Sequence, residues 1–282
     1  MSSFCEGKVA VVTGAAGTLC SVITSDLAKK GAKVALLDRN AERIEALAAG
    51  LKKDGCTCAC YTGDVTDEAS MQAIADKVAT DFGPAAYLVN GAGGNQPAAL
   101  TTRLRFDPAE LTGPMAEGEK GFWDVDMAVF ESVLKINTMG TVIPSRVFAK
   151  QMAQNGGGAI LNFCSMNTYR PLTRVAPYAM AKAGVANWTQ WLAQYLAPAK
   201  IRVNAVAPGF FVNERSRKIL CTPEGGLTAR GEQVMAHSPI RRFGEAEDLL
   251  GCVEWLLDGT KAAFVTGITV PVDGGFLASA GV

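Results

Sequence analysis

Apolar runs of strand length alternate with helix-like segments along nearly the whole chain, and this alternation limits the folds it can adopt. The run Val9–Val12 precedes a helical pattern over 18–30, and the same order recurs until a last apolar run in "GITVPVDGG". Strands separated by helices pair in parallel, because a parallel connection needs a crossover long enough to hold a helix. The sequence therefore predicts an α/β fold with a doubly wound parallel sheet and helices on both faces.

The 282 residues form one predicted domain, 1–282, because neither an internal repeat nor a shift of composition marks a boundary. Two segments, about 95–126 and 212–242, lack periodicity and interrupt the alternation. Each follows the carboxyl end of a predicted strand, where open α/β sheets bind their ligands. We predict that both are insertions that act as lids over a site; plain surface loops are the alternative.

Charge and hydropathy argue against two classes of partner. The 27 basic and 27 acidic side chains balance, and no basic stripe is present, which argues against nucleic acid. No apolar run reaches the length of a membrane span, so we expect no membrane partner. The N-terminus "MSSFCEGK" has no signal-peptide pattern, which predicts a cytoplasmic protein.

The cysteines and the single histidine narrow the chemistry further. In "CTCAC", Cys56, Cys58 and Cys60 recur at every second position and would share one face of a strand, about 6–7 Å apart. This spacing is too wide for one zinc ion and no histidine is near, so we expect no metal and reduced, mostly buried thiols. A Ser–His or Cys–His mechanism would have to run through His237, whose polar surroundings indicate a surface or packing role.

The stretch "TGAAGTLC" between the first strand and the first helix has the position of a dinucleotide-binding loop. Gly14 suits a tight turn, and Gly17 lets the backbone approach a pyrophosphate at the helix N-terminus. Thr18 offers a hydroxyl or a helix cap, and Cys20 stands where many such loops have a third glycine. Taken alone, the loop is weak evidence of nucleotide binding.

An acidic residue strengthens that interpretation. Asp38 ends the second predicted strand, 24 residues after Gly14, where a carboxylate hydrogen-bonds the adenosine ribose hydroxyls. A carboxylate there repels a 2′-phosphate, which favours NAD over NADP, although the neighbouring Arg39 offsets part of the repulsion. The alternative for Asp38 is a cap at the strand end.

Further motifs follow in a characteristic order: "GDV" at Asp64, "NGAGG" from Asn90, then Asn137, Ser165 and "YAMAK". In the last motif Tyr178 and Lys182 are four residues apart and share one face of a helix. Together these motifs resemble the short-chain dehydrogenase/reductase family, from "VAVVTG" to "VPVDGG". The resemblance implies a Rossmann-type sheet and an oxidoreductase that transfers a hydride to or from a nicotinamide.

The stretches "SMNTYRPLTRVAPYAMAK", "RVNAVAPGFF" and "SPIRRFGEAEDLLG" are similar to the D-mannonate oxidoreductase, or fructuronate reductase, branch of that family. The family usually has Thr where Asn213 stands. The branch implies NAD-dependent interconversion of D-mannonate and D-fructuronate. The same chemistry on another aldonate or polyol, such as gluconate, is the alternative, and an inactive nucleotide-binding sensor is a more distant one.

The resemblance also implies the site residues and the assembly. The catalytic residues would be Asn137, Ser165, Tyr178 and Lys182. The cofactor would be bound by Gly14, Gly17, Thr18, Leu19, Asp38, Arg39, Asp64, Val65, Asn90, Ala92, Gly93, Tyr178, Lys182, Pro208, Gly209 and Phe211. A homotetramer is expected, and Trp188, Trp191 and Tyr195 add large rings to the helix of Tyr178 that an interface could bury.

The expected chemistry assigns a role to each catalytic group. Tyr178 would exchange the hydroxyl proton, with Lys182 and the oxidised nicotinamide lowering its pKa from about 10 toward neutrality. Ser165 would donate a hydrogen bond to the substrate oxygen or accept one from it. Asn137 would hold a water in a proton relay from Lys182 to solvent.

Cationic and amide side chains near these residues suit an acidic, polyhydroxylated substrate. The candidates that would contact it are Asn95, Asn167, Arg170 and Arg174. Arg103 and Arg105 lie in the first lid segment and could approach a carboxylate when it closes. For each arginine, a surface ion pair is the alternative.

Overall fold

A parallel sheet of seven strands, in the order β3-β2-β1-β4-β5-β6-β7, forms the centre of the computed structural model. The structure describes residues 3–113, 115–212 and 214–279, so Pro114 and Asn213 lie outside the described residues. The strands are β1 (Val9–Thr13), β2 (Lys33–Asp38), β3 (Cys58–Thr62), β4 (Ala85–Asn90), β5 (Gly158–Phe163), β6 (Ile201–Pro208) and β7 (Thr269–Val272). The predicted fold class is confirmed.

Helices cover both faces of this sheet. They are α1 (Thr18–Lys29), α2 (Ala41–Lys53), α3 (Glu68–Phe82), α4 (Met127–Gln154), α5 (Ala176–Leu196), α6 (Glu214–Leu220), α7 (Ala229–Ala236) and α8 (Leu250–Leu257). Successive residues of β1 enter opposite cores: Val12 packs with Leu27 of α1, and Val11 packs with Phe148 of α4. Both cores are therefore built by the period-two alternation of buried strands.

The site position follows from the strand order. β1 pairs with β2 on one side and with β4 on the other, so the order reverses at this point. The loops that leave β1 and β4 diverge there and open a crevice at the carboxyl ends of the strands, which is where doubly wound sheets bind nucleotides.

The two irregular segments differ from each other. The described part of 95–126 contains only short 3-10 turns, at Pro97–Ala99 and Pro108–Leu111, and agrees with its lack of periodicity. The segment 212–242 instead contains α6 and α7, which the sequence analysis did not predict. Each has at most eight residues, too few to show a clear apolar period.

The eight cysteines are free thiols. The Sγ atoms of Cys58 and Cys60 face α2 and donate to the carbonyls of Ala48 at 3.7 Å and Ile44 at 3.3 Å. Among the described residues, no group of three His, Cys, Asp or Glu side chains could hold a metal ion. In the same part of the chain, no helix is long and apolar enough to cross a membrane.

Candidate active site

The turn after β1 lies against the turn after β4. Gly14 has φ of +63°, and a Cβ there would lie 2.9 Å from the backbone N of Ala92, so the position requires glycine twice over. Gly17 N donates to the Gly14 carbonyl at 2.8 Å, and α1 begins directly afterwards at Thr18. The exposed Thr18 provides no side-chain cap, which leaves the first N–H groups of α1 facing the crevice.

Cys20 replaces the missing third glycine by using space that Gly91 leaves. A Cβ on Gly91 would lie 2.1 Å from the Cys20 sulfur, so the thiol occupies the volume that a side chain at position 91 would need. Burial raises the pKa of this thiol to about 12, so it stays protonated and serves as packing. The loop thus retains close packing between helix and strand without a third glycine.

The Thr13 hydroxyl fixes the two turns together, a role that sequence reasoning missed. Its Oγ1 accepts hydrogen bonds from the backbone N–H groups of Gly91 at 3.1 Å and Ala92 at 3.2 Å. Thr13 is fully buried at the end of an apolar strand. A polar residue at the end of "VAVVT" was the available signal, because buried hydroxyls require partners.

A cleft of about 670 Å³ opens beside these turns. The predicted cofactor and substrate residues that line it are Gly14, Gly17, Asp38, Arg39, Asp64, Val65, Ala92, Gly93 and Asn95. Backbone N–H groups hold the Asp38 carboxylate, which accepts from Asn40 at 3.0 Å and from Ala16 at 3.4 Å. Asp38 therefore stands at the rim with a fixed orientation, as the ribose contact requires.

Asn90 points away from this cleft. Its Nδ2 donates to Ser145 Oγ at 2.8 Å and to Asn162 Oδ1 at 2.9 Å, and the residue is 1% exposed. Asn162 Nδ2 in turn donates to Thr189 Oγ1 at 2.9 Å. The side chain of Asn90 thus belongs to a buried polar network that links α4 to α5, a pattern that the position at a strand end did not reveal.

Asn137 binds the turn after β4 with both ends of its amide. Oδ1 accepts from Gly94 N at 3.1 Å, and Nδ2 donates to the carbonyl of Gly94 at 2.7 Å and to that of Val133 at 2.8 Å. Asn137 is fully buried. In the structure it therefore fixes the glycine turn to α4.

Ser165, Tyr178 and Lys182 meet where β5 and α5 approach each other. Ser165 follows β5, Tyr178 lies in the first turn of α5, and the Ser165 hydroxyl lowers the pKa of the Tyr178 phenol as a hydrogen-bond donor does. The Lys182 ammonium donates to the Phe163 carbonyl at 2.7 Å and lies 5.5 Å from the centroid of the Tyr178 ring. The three predicted catalytic side chains thus form one cluster.

The titration of this cluster differs from the expectation. Burial lowers the pKa of Lys182 to about 8, and burial raises that of Tyr178 above its usual value although the Ser165 hydrogen bond lowers it. The expected lowering of the Tyr178 pKa by Lys182 is wrong for the chain alone. The ammonium lies over the ring face and is engaged with a carbonyl, and burial dominates the titration of the phenol.

The segment after β6 borders a second cavity. Gly209 N donates to the Val272 carbonyl at 2.9 Å, directly after Pro208 ends the strand. Phe211 is buried and lines a cavity of about 230 Å³ with Phe210 and Asp273. Leu19, in α1, is half-buried and packs on the core.

Several of the predicted substrate side chains are bound by other parts of the chain. Arg170 Nη1 donates to the Ser279 carbonyl at 3.1 Å, and Asn167 is buried and bonded to Ser165. Arg103 forms ion pairs with Asp107 at 2.6 Å and Glu119 at 2.7 Å. The expectation that Arg103 is available for a carboxylate is therefore wrong, because two acidic neighbours already neutralise it.

The charge of Arg174 acts on Arg230, and among the described residues neither arginine forms an ion pair with an acidic side chain. Arg174 is exposed, precedes α5 and has φ of +77°, a strained conformation for a residue with a side chain. Arg230, in α7, is half-buried, and its pKa is lowered by burial and by the charge of Arg174. Sequence reasoning missed Arg230 because the segment around it showed no pattern.

Comparison with known proteins agrees with this geometry. The family model for short chain dehydrogenase matches residues 8–221. An uncharacterized oxidoreductase, UxuB, from Bacillus subtilis (strain 168) is 41% identical over 276 residues, which cover 98% of this chain and 97% of the relative.

Two solved structures extend the comparison. A NAD-bound protein from Haemophilus influenzae, provisionally described as a D-mannonate oxidoreductase, is 39% identical with a TM-score of 0.93, covering 98% of this chain and 97% of that one. A gluconate 5-dehydrogenase from Burkholderia cenocepacia in complex with NADP and tartrate is 25% identical with a TM-score of 0.82, covering 99% of both chains. This chain belongs to the short-chain dehydrogenase family of oxidoreductases.

Proposed function

We propose that the protein is an NAD-dependent oxidoreductase that interconverts D-mannonate and D-fructuronate. The observation that carries the proposal is the cluster of Ser165, Tyr178 and Lys182 at the strand ends beside the glycine-lined cleft. The cleft supplies a place for a dinucleotide, and the cluster supplies a proton donor and acceptor next to it.

The residues of the cleft fit a nicotinamide dinucleotide. Gly14 and Gly17 leave the backbone bare at the N-terminus of α1, which suits a pyrophosphate. Asp38 suits ribose hydroxyls and disfavours a 2′-phosphate. The bound NAD of the Haemophilus structure supports this preference, while Arg39 and Arg43 in the same cleft oppose it.

Oxidation of a secondary alcohol removes a hydride from carbon and a proton from oxygen. NAD, when bound, supplies the hydride acceptor and, in its oxidised form, a positive charge. Tyr178 accepts the proton, and in the reverse direction it returns the proton to the ketone oxygen. Lys182 adds a positive charge behind the phenol ring, and Ser165 hydrogen-bonds the reacting oxygen.

An acidic substrate is supported by the two unpaired arginines. Arg174 is four residues before Tyr178, and its charge lowers the pKa of Arg230 in α7. Two neighbouring guanidinium groups without an acidic partner repel each other, and a bound carboxylate relieves that repulsion. The D-mannonate description of the Haemophilus structure points to the same class of substrate.

A second candidate is the same reaction on gluconate, which the similarity to the Burkholderia gluconate 5-dehydrogenase favours. A neutral polyol has no carboxylate to bind Arg174 and Arg230. The distant alternative of an inactive sensor is disfavoured because Ser165, Tyr178 and Lys182 are assembled in one cluster.

We also propose a homotetramer. Trp188, Trp191 and Tyr195 stack along α5 with centroid distances of 5.2 and 5.1 Å. Trp191 is 52% and Tyr195 69% exposed, so the isolated chain leaves much of this aromatic ladder in water. Light scattering that gives the monomer mass of 29.6 kDa at micromolar concentration would contradict the proposal.

The eight unpaired thiols support the expected cytoplasmic location, because disulfides are rare there.

A substrate panel tests the proposed function. D-mannonate, D-gluconate, D-mannitol and xylitol are each offered with NAD and with NADP, and the reduced cofactor is followed by absorbance. We expect the highest kcat/KM for D-mannonate with NAD. A higher kcat/KM for D-gluconate favours the second candidate. Turnover of only the polyols overturns the proposal that the substrate is an acid.

A further inference from the structure

Two hydrogen bonds converge on the Ser165 hydroxyl, and both come from Asn167. The backbone N–H of Asn167 and its side-chain Nδ2 each lie 3.2 Å from Ser165 Oγ. Both residues are only 6% exposed, which limits the access of water to these bonds. Asn167 was expected to bind substrate, yet its amide is committed to the catalytic serine.

The orientation of this amide is fixed by a third bond. Asn167 Oδ1 accepts from the backbone N–H of Leu172 at 2.9 Å. A backbone N–H can only donate, so the oxygen of the amide must face Leu172 and the nitrogen must face Ser165. In the alternative, flipped orientation, the amide NH₂ of Asn167 would face the backbone N–H of Leu172, and two donors would then oppose each other.

The count of bonds then determines what the serine can do. A hydroxyl has two acceptor lone pairs and one proton. The two N–H groups of Asn167 fill both lone pairs of Ser165, and only its proton remains available. The proton is directed at the Tyr178 phenol, because Ser165 lowers the pKa of Tyr178 as a hydrogen-bond donor does.

We propose that Asn167 is a positioning residue that makes Ser165 a permanent hydrogen-bond donor to the reacting oxygen. The proposal rests on the proposed hydride transfer and resolves the role of Ser165 that the sequence left open. A serine whose two lone pairs are occupied cannot accept a hydrogen bond from the substrate hydroxyl, so Tyr178 takes that proton. In the reverse direction Ser165 donates to the ketone oxygen as negative charge develops on it.

Asn167→Asp is the matched variant. The carboxylate keeps an oxygen for the Leu172 N–H, so the turn keeps its support, but it replaces the Nδ2 donor with an acceptor. The Ser165 proton then turns toward the introduced carboxylate instead of the reacting oxygen. We expect kcat to fall about 10- to 100-fold with little change in KM, which is the signature of a lost transition-state interaction.

A double-mutant cycle separates positioning from direct substrate binding. If Asn167 acts through Ser165, Asn167→Asp and the neutral Asn167→Ala cause little further loss of kcat in a Ser165→Ala background. A full additional loss in that background, or a loss confined to KM, overturns the proposal. Thermal unfolding of each variant confirms that the fold is retained.

Titration of Tyr178 provides a readout that needs no substrate. Tyrosinate absorbance of each protein is compared with that of its Tyr178→Phe counterpart, so that only Tyr178 contributes. The other ionisable groups that act on this cluster, Lys182, Cys164 and Cys20, are unchanged throughout. Asn167→Ala and Ser165→Ala should each raise the Tyr178 pKa. The double variant should raise it no further than Ser165→Ala alone does. An unchanged Tyr178 pKa in Asn167→Ala overturns the proposal.

The two readouts keep the failures apart. If the wild type oxidises no compound of the panel, the proposed function fails, while the titration still decides whether Asn167 holds the serine as a donor. If D-mannonate is oxidised but Asn167→Asp leaves kcat unchanged, the proposed function stands and the role of Asn167 is rejected.

Discussion

The proposed cofactor side and the proposed substrate side of the site are built in different ways. On the cofactor side the decisive contacts involve backbone: Gly14 lies against Ala92, and Thr13 holds the turn after β4 by its N–H groups. On the proposed substrate side they involve charged side chains of the two irregular segments: Arg103 is ion-paired, and Arg230 has no acidic partner among the described residues.

This difference separates binding of the cofactor, which many enzymes share, from recognition of one particular substrate. Backbone turns hold a dinucleotide by atoms that every residue has, and the requirement falls on small residues at a few positions. Side chains on irregular segments can change without disturbing the sheet, so they can adapt to one substrate. Changes on the first side should affect the cofactor, and changes on the second side should affect one substrate at a time.

The largest effect is expected at Tyr178, where the two sides meet. Tyr178→Phe removes the proton acceptor and should lower kcat about 100- to 10,000-fold, with NADH affinity nearly unchanged. Tyr169→Phe is the matched control, because it removes a phenol that only donates to the Thr269 carbonyl at 2.8 Å. Steady-state rates and NADH fluorescence titration measure both quantities. A Tyr178→Phe enzyme with more than about a hundredth of the wild-type rate would contradict the assigned role.

Replacing 100–121 by a short Gly/Ser linker should give the next largest effect. We predict that this segment is a lid, attached to the substrate side where Thr101 N donates to the Arg174 carbonyl at 3.3 Å. Its loss should lower kcat/KM for D-mannonate about 100-fold by exposing the site to water, and should spare NADH affinity.

Hydrogen exchange provides a second measurement of the lid. Exchange over this segment should slow when D-mannonate joins the NADH complex, in which no hydride can be transferred. Normal activity of the shortened enzyme together with equal exchange would identify the segment as an ordinary surface insertion.

Arg230→Gln should raise the KM for D-mannonate about 10- to 100-fold, since a hydrogen bond to a charged group contributes about 1.5–3 kcal/mol. Arg217→Gln removes the same charge from the neighbouring α6 and should leave KM unchanged. D-mannitol, which has no carboxylate, should not distinguish Arg230→Gln from the wild type. Equal losses on the acid and the polyol would show that Arg230 supports the fold and not the carboxylate.

Asp38→Ser should have the smallest effect, confined to the cofactor side. It removes the charge that opposes a 2′-phosphate and leaves Arg39 and Arg43 in the cleft to attract one. The ratio of kcat/KM for NADH over NADPH should fall about 10-fold, an electrostatic change of about 1.4 kcal/mol. An unchanged ratio would mean that Asp38 does not select the cofactor.

The sequence predicted the elements with clear periodicity. The apolar run Val9–Val12 and the helical pattern over 18–30 agree with β1 and α1, because their apolar patterns extend over the whole element. α6 and α7 were missed because short helices in a polar segment show no such pattern. The fold class depended only on the order of the long elements and was therefore predictable.

Side-chain partners were much harder to predict. The sequence shows that residue 167 is an asparagine and residue 230 an arginine, but it does not show which groups their side chains contact. Asn167 was assigned to the substrate because it is polar and near Tyr178, whereas its hydrogen bonds to Ser165 and Leu172 depend on a turn that only the fold creates. Arg103 was misassigned although one acidic partner, Asp107, is only four residues away; the contact with the second partner, Glu119, depends on how the segment folds.

The packing of Cys20 against Gly91 links two positions that are far apart in the sequence. Sulfur at position 20 is compatible with the cleft only while position 91 has no side chain, since a Cβ there would overlap the thiol. In a diverging lineage the two sites cannot change independently: a side chain at 91 is admissible only after position 20 has become smaller. Glycine at position 20 would remove only one of the two obstacles to a side chain at 91, because a Cβ there would still lie 2.9 Å from the backbone oxygen of Thr13.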